Sequence, residues 1–305
     1  MRTSLWADFK RYVLYSGNTL NHLAAINAGI YLLFVIFYVF ISLFGIDARA
    51  FEGKWLYEWL SFPVQPASFI TKPWTIITYQ FIHDCPAPWH LLGNMLIFLF
   101  AGRIFREYLG DKKLFAVYLL GGMAGAVFFT IGYQVFPAFA LFRTGPILFG
   151  ASASIVAIFT AITTLLPEYT VFLIVIGPVR LIYIWLVFML LYIIGLAGEN
   201  AGGNLAHIGG AAMGFAYIKI LKNGTDIGAW ITKIQDWVRN IFKKKPNLKV
   251  SYYSEAPSPK RKSAPKINRV SQEEVDTILD KIARSGYDSL SQPEKETLLR
   301  ASKEN

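Results

Sequence analysis

Two short runs of this 305-residue chain place hydroxyl and imidazole groups inside uncharged, apolar sequence. They are Gly150-Ala151-Ser152-Ala153-Ser154 and Ala206-His207-Ile208-Gly209-Gly210, the second continuing to Gly214. Serine is a weak nucleophile until a base takes its proton, and histidine is the side chain most suited to that task, so a Ser and a His that meet could perform acyl transfer. Polar groups are expensive in hydrocarbon and gather where they act. His90 and Asn94 lie one helical turn apart and share a face, so both can donate hydrogen bonds toward one place, as a developing oxyanion requires. Ser152 is the expected nucleophile, because Ser154, two residues along a helix, points to another face.

The elements that must position these groups are transmembrane helices. The chain is 54% hydrophobic and only 16% charged, whereas soluble domains carry roughly a quarter charged residues. A helix needs about 20 apolar residues to cross about 30 Å of hydrocarbon. Six stretches meet that need, at about 24–45, 90–108, 113–136, 150–166, 179–197 and 204–221, with charges gathered at their ends. Arg2, Lys10 and Arg11 precede the first, Arg103, Arg106, Lys112 and Lys113 cluster about the junction of the second and third, Arg180 lies at the fourth connection, where the fifth begins, and Lys219, Lys222, Lys233 and Lys243–Lys245 lie at or after the end of the sixth. The positive-inside rule then puts both termini in the cytoplasm. On this topology His90, Asn94, Ser152 and His207 all fall in the outer half of the membrane, although the orientation came from Lys and Arg alone.

Lateral approach is also written in the sequence. His207, Gly210 and Gly214 occupy one face of the sixth stretch, and Ala153, Ala157 and Ala161 repeat every four residues on the fourth. Small residues let transmembrane backbones come close. Pairing the two stripes brings His207 beside the helix N-terminus that bears Ser152, where free N–H groups and the helix dipole suit an oxyanion. Taken singly, each feature has a plainer reading: a Ser that caps a helix, a His or Asn that bridges helices, glycines that pack. Their shared depth is what favours chemistry.

The remainder frames this core. The net charge of +10 sits at the span ends rather than on a stripe interleaved with aromatics, so no nucleic-acid partner is expected. Cys85 is the one cysteine, and no Cys/His cluster has metal-site spacing. Residues 1–23 read as a cytoplasmic segment without a cleaved signal peptide. The loop 46–89, rich in Trp and Pro, reads as structured and interface-embedded; Tyr169 to Gly177 reads as an interfacial cytoplasmic segment, too short to cross. Residues 222–270 read as a basic juxtamembrane segment and flexible linker, and 271–305 as a small cytoplasmic helical hairpin with capping boxes at Ser271/Glu274 and Ser291/Glu294.

These residues resemble the rhomboid family of intramembrane serine proteases, through Trp89-His90-Leu91-Leu92-Gly93-Asn94, Gly102-Arg103-Ile104-Phe105-Arg106-Glu107, Gly150-Ala151-Ser152-Ala153 and Ala206-His207-Ile208-Gly209-Gly210 with Gly214. The resemblance implies an all-α, six-transmembrane-helix bundle and cleavage of membrane-spanning protein substrates by a Ser152–His207 dyad with no acidic third member. It implies oxyanion contacts from His90, Asn94 and the Gly150 region, and no metal or nucleotide cofactor; helix packing through Ala153, Ala157, Gly210 and Gly214 rests on the spacing above. A bacterial cytoplasmic membrane with the site facing outward is the expected location. The residue four after the nucleophile, often an aromatic that stacks on the base, is Val156 here, so other packing must orient His207. The alternatives are a catalytically inactive rhomboid-like protein that binds transmembrane helices and a small transporter; the latter lacks intramembrane acidic residues and a paired repeat. The oligomeric state is left open.

Overall fold

The computed structural model describes residues 4, 6–7, 10–11, 17–242 and 271–303. The linker expected at 243–270 and most of the N-terminal segment lie outside the described residues. The chain divides into two units, Met1–Lys244 and Lys245–Asn305.

The first unit is a bundle of apolar helices. Helix α1 spans Thr19–Leu43. It begins five residues before the expected 24 because Asn18 caps it, its side chain accepting from the N–H groups of Leu20 and Asn21, while Asp111 accepts from Thr19 N–H at 2.6 Å. Helix α2, Trp89–Val135, is broken at Gly110, whose φ of 81° no helix accommodates. A straight helix would hold Phe98 and Tyr118 about 30 Å apart; their ring centroids lie 5.6 Å apart. The chain therefore folds back at Gly110, and the arms 89–109 and 111–135 correspond to the second and third expected stretches. Helices α3 (Ser152–Leu165), α4 (Leu181–Ile194) and α5 (Ala201–Lys222) complete the bundle.

Small residues decide how α3 is seated. A methyl group added at Gly210 or Gly214 of α5 would strike the carbonyl oxygen of Ala153 or Ala157, and one added at Gly121 or Gly125 of α2 would strike the Ala157 or Ala153 side chain. The two stripes read from the sequence therefore do face each other, and α2 supplies a third. Between them Ile155, Ile158 and Ile162 are fully buried in the core.

The long loop is structured. It contains short helices at Ala48–Glu52, Pro66–Thr71 and Thr75–Thr78, and strand β1 (Phe62–Pro63) pairs antiparallel with β2 (Ile147–Leu148). Its end is tied into the bundle: the Tyr79 hydroxyl donates to Gly122 O at 2.6 Å and the Tyr118 hydroxyl to Gln80 O at 2.9 Å. Residues 170–180 form an antiparallel hairpin of β3 (Thr170–Leu173) and β4 (Gly177–Arg180), which takes the first two residues expected in the fifth stretch. A further helix, α6 (Ala229–Phe242), stands where the sequence reading has only a juxtamembrane segment.

In the second unit, α7 (Gln272–Ser285) carries a reciprocal capping box between Ser271 and Glu274, and α8 (Gln292–Lys303) follows after Gly286. Lys281 pairs with Glu294 at 2.8 Å, and that pairing, with the Ser291 hydrogen bonds, holds the Glu294 carboxyl down at about 2. Ile278 and Leu290 are buried.

Candidate active site

Ser152 is the first residue of α3, where the N–H groups have no intrahelical partner. His207 stands in the second turn of α5. Because Gly210 lets α5 lie against the α3 backbone, the His207 Nε2 comes 2.7 Å from the Ser152 Oγ. The buried Nδ1 of His207 has no partner among the described residues. With the proton on Nδ1, Nε2 is free to accept from the serine hydroxyl. Among the described residues no carboxylate orients this imidazole; the ring of Tyr192, from α4, packs on it instead, with centroids 4.3 Å apart and planes 50° apart.

His90 and Asn94 face the same cavity of about 900 Å³, which Ser152 and His207 also line. The Asn94 amide donates to His90 O at 2.9 Å; its NH₂ group retains a second hydrogen for an incoming group. His90 sits beside Gly150, where a Cβ would come 2.9 Å from the imidazole Cε1. Gly150 also has a φ of +120°, which side chains rarely adopt, so both the space and the backbone demand glycine. Its own N–H donates to Tyr79 O at 2.9 Å. The Gly150 N–H is thus engaged by Tyr79, and the glycine shapes the wall of the site beside His90.

Ser154, the rival nucleophile, is fully buried and donates to Gln80 Oε1 at 3.0 Å, away from His207. His83 is buried against His90, ring centroids 5.2 Å apart. Burial and the neighbouring His90 hold its pKa down at about 4, so it places no charge behind the site at neutral pH. Tyr192 is absent from the sequence reading, since nothing in the run Leu181–Ile194 separates it from Tyr183, Trp185 or Phe188.

Residues 71–224, half of the chain and all of this site, match the Rhomboid domain. The chain belongs to the rhomboid family. It is therefore a membrane protein with an all-α membrane fold. Residues 266–304, within the second unit, match a family of unknown function (DUF6576). No curated protein matches the chain. Within the rhomboid domain three of the four motif segments meet at one end of the bundle, where the N-terminal ends of α2, α3 and α5 open on the same cavity, while Gly102–Glu107 lies at the other end, beside Gly110.

Proposed function

We propose that this rhomboid is an active intramembrane serine endopeptidase that cleaves transmembrane segments of other membrane proteins. The observation that carries the reading is the 2.7 Å approach of Ser152 Oγ to His207 Nε2 at a cavity that also exposes His90 and Asn94. His207 takes the hydroxyl proton as Ser152 Oγ attacks the scissile carbonyl carbon. The resulting oxyanion accepts from the Ser152 N–H and from donors on Asn94 and His90. The tetrahedral adduct collapses, the C–N bond breaks, and the leaving amine takes the proton from His207. Water then gives a proton to His207 and adds to the acyl ester; collapse returns the proton to Ser152 and frees the new carboxylate.

This reading includes six crossings, both termini in the cytoplasm, and a site open to the extracytoplasmic side of what is taken as a bacterial cytoplasmic membrane. The 14 residues of α3 extend only about 21 Å, short of about 30 Å of hydrocarbon. Residues 147–151, which are not helical, complete the crossing, and Ser152 is thereby set below the outer surface. A helical substrate has its carbonyls engaged and must unwind before attack. Segments with Gly or Pro near the outer boundary are preferred, since these cost a helix about 1 and about 3 kcal/mol relative to Ala.

The deciding experiment incubates purified wild-type and Ser152→Ala protein with a single-span reporter protein in detergent and identifies the cut by mass spectrometry. Cleavage by the wild type alone, within the apolar segment, supports the proposal. Binding of the segment by both proteins without cleavage would assign an inactive rhomboid that captures transmembrane helices.

A further inference from the structure

Two elements that the catalytic reading leaves unused expose apolar side chains at the Gly110 end of the bundle, opposite the cavity. In the β3–β4 hairpin, Ile174 and Val175 at the tip are 97% and 95% exposed, and Phe172 and Ile176 beside them 77% and 73%. In α6, Trp230, Ile234, Trp237, Val238 and Ile241 recur at i, i+4, i+7, i+8 and i+11, a single helical stripe. All five are exposed, while Ile231, alone among the described side chains of α6, is buried against the bundle. Water tolerates neither surface well.

Both elements are fixed at the same level. Tyr169, just before β3, packs edge-on against Tyr108, with ring centroids 6.3 Å apart. On α6, Asp236 accepts from Lys112 at 2.6 Å. Tyr108 and Lys112 flank the turn at Gly110, so the hairpin and the helix are both tied to one end of the α2 arms.

We infer that the β3–β4 hairpin and α6 lie in one membrane interface and rest on the phospholipids of the bilayer that the bundle occupies. The surface continues the apolar exterior of a membrane protein. Arg103, Arg106 and Lys113 near the turn, and Lys219 and Lys222 in the last turn of α5, supply cations at the depth of the lipid phosphates. Two tryptophans on the α6 stripe are the residue type that favours the headgroup level, and a helix with one apolar and one charged face lies in that plane. A cavity of about 470 Å³ between α6 and the second arm of α2, lined by Phe115, Leu119, Met123, Trp230, Ile234 and Val238, has the apolar lining that an acyl chain needs. The hairpin stays shallow, because the outer edges of a two-stranded sheet carry unpaired backbone groups that hydrocarbon does not satisfy; its tip alone dips.

The test uses the full chain in phosphatidylcholine–phosphatidylglycerol vesicles, with nitroxides on Val175→Cys, Trp237→Cys and, on the polar side of α6, Asn240→Cys. Native Cys85 is buried, and the labelled parent serves as the blank. Collisions with oxygen should exceed those with an aqueous nickel chelate several-fold at 175 and 237, and the ratio should reverse at 240. Dominance of the nickel reagent at 175 or 237 would place that element in water. Exclusion of both reagents would mean that a protein surface, from a second copy or from residues 245–305, covers it; either result overturns the inference.

Discussion

The Tyr192 ring lies against the His207 ring at a centroid separation of 4.3 Å and a tilt of 50°. It is the aromatic contact of an imidazole whose Nδ1 has no hydrogen-bond partner among the described residues. Contacts of this kind contribute about 0.5–1.5 kcal/mol, equivalent to as much as about tenfold in rate when they hold a base in line. Tyr192→Ala should therefore lower kcat by up to about tenfold with KM little changed, and Tyr192→Phe should retain the wild-type kcat. A rise in KM with unchanged kcat would make Tyr192 a substrate contact rather than a positioning residue.

The two serines of the Gly150–Ser154 run should separate cleanly. Ser152→Ala and His207→Ala should each abolish cleavage, and the double variant should be no worse than either, because the pair acts as a unit. Ser154→Ala should keep most of its turnover but melt earlier, by about 1 kcal/mol of stability, since it leaves the buried Gln80 Oε1 without its donor. Loss of turnover in Ser154→Ala, measured per folded molecule, would contradict the assignment.

Close helix approach should be as necessary as the reacting groups. The methyl of Gly210→Ala meets the Ala153 carbonyl, so α5 must move away from α3. Overpacking of this kind costs about 1–3 kcal/mol, and a shift of about 1 Å between reacting groups can cost about 10² in rate. Gly29→Ala in α1, where a Cβ meets nothing within 4 Å, is the matched control and should leave both melting and turnover intact. Equal turnover in the two variants would show that the Gly210 contact does not set the Ser152–His207 distance.

Glu52 supplies a pH dependence outside the spans. Its carboxyl is buried in the long loop, Oε1 lacks a partner among the described residues, and burial raises its pKa above the ordinary value of 4.5. A raised carboxyl favours the protonated folded state, so its contribution is fully present below 4.5 and is lost as pH rises through the folded value. Glu52→Gln should remove that loss. The melting temperature of the variant minus that of the wild type, followed in detergent from acid to neutral pH, should grow as pH rises; a constant difference would mean that the carboxyl does not titrate with folding.

The membrane class, the approximate positions of the apolar helices and the Ser, His and Asn motifs are legible in the sequence because each depends on local properties. Hydropathy over about 20 residues, the spacing of Gly210 and Gly214, and the absence of charge around Ser152 and His207 need no knowledge of what lies opposite. Helix boundaries are less legible: Asn18 and Asp111 together set the start of α1, and Asp111 is 92 residues away. The third stripe, Gly121 and Gly125, and the commitment of Gly150 N–H to Tyr79 are decided only when distant segments pack. So is the partner of His207. Tyr192 is one ring among several on an apolar helix, and it is the rotation of α4 against α5 that selects it. Composition places polar groups in a membrane, but the 2.7 Å between Ser152 and His207 comes from glycines on two other surfaces that let three backbones meet.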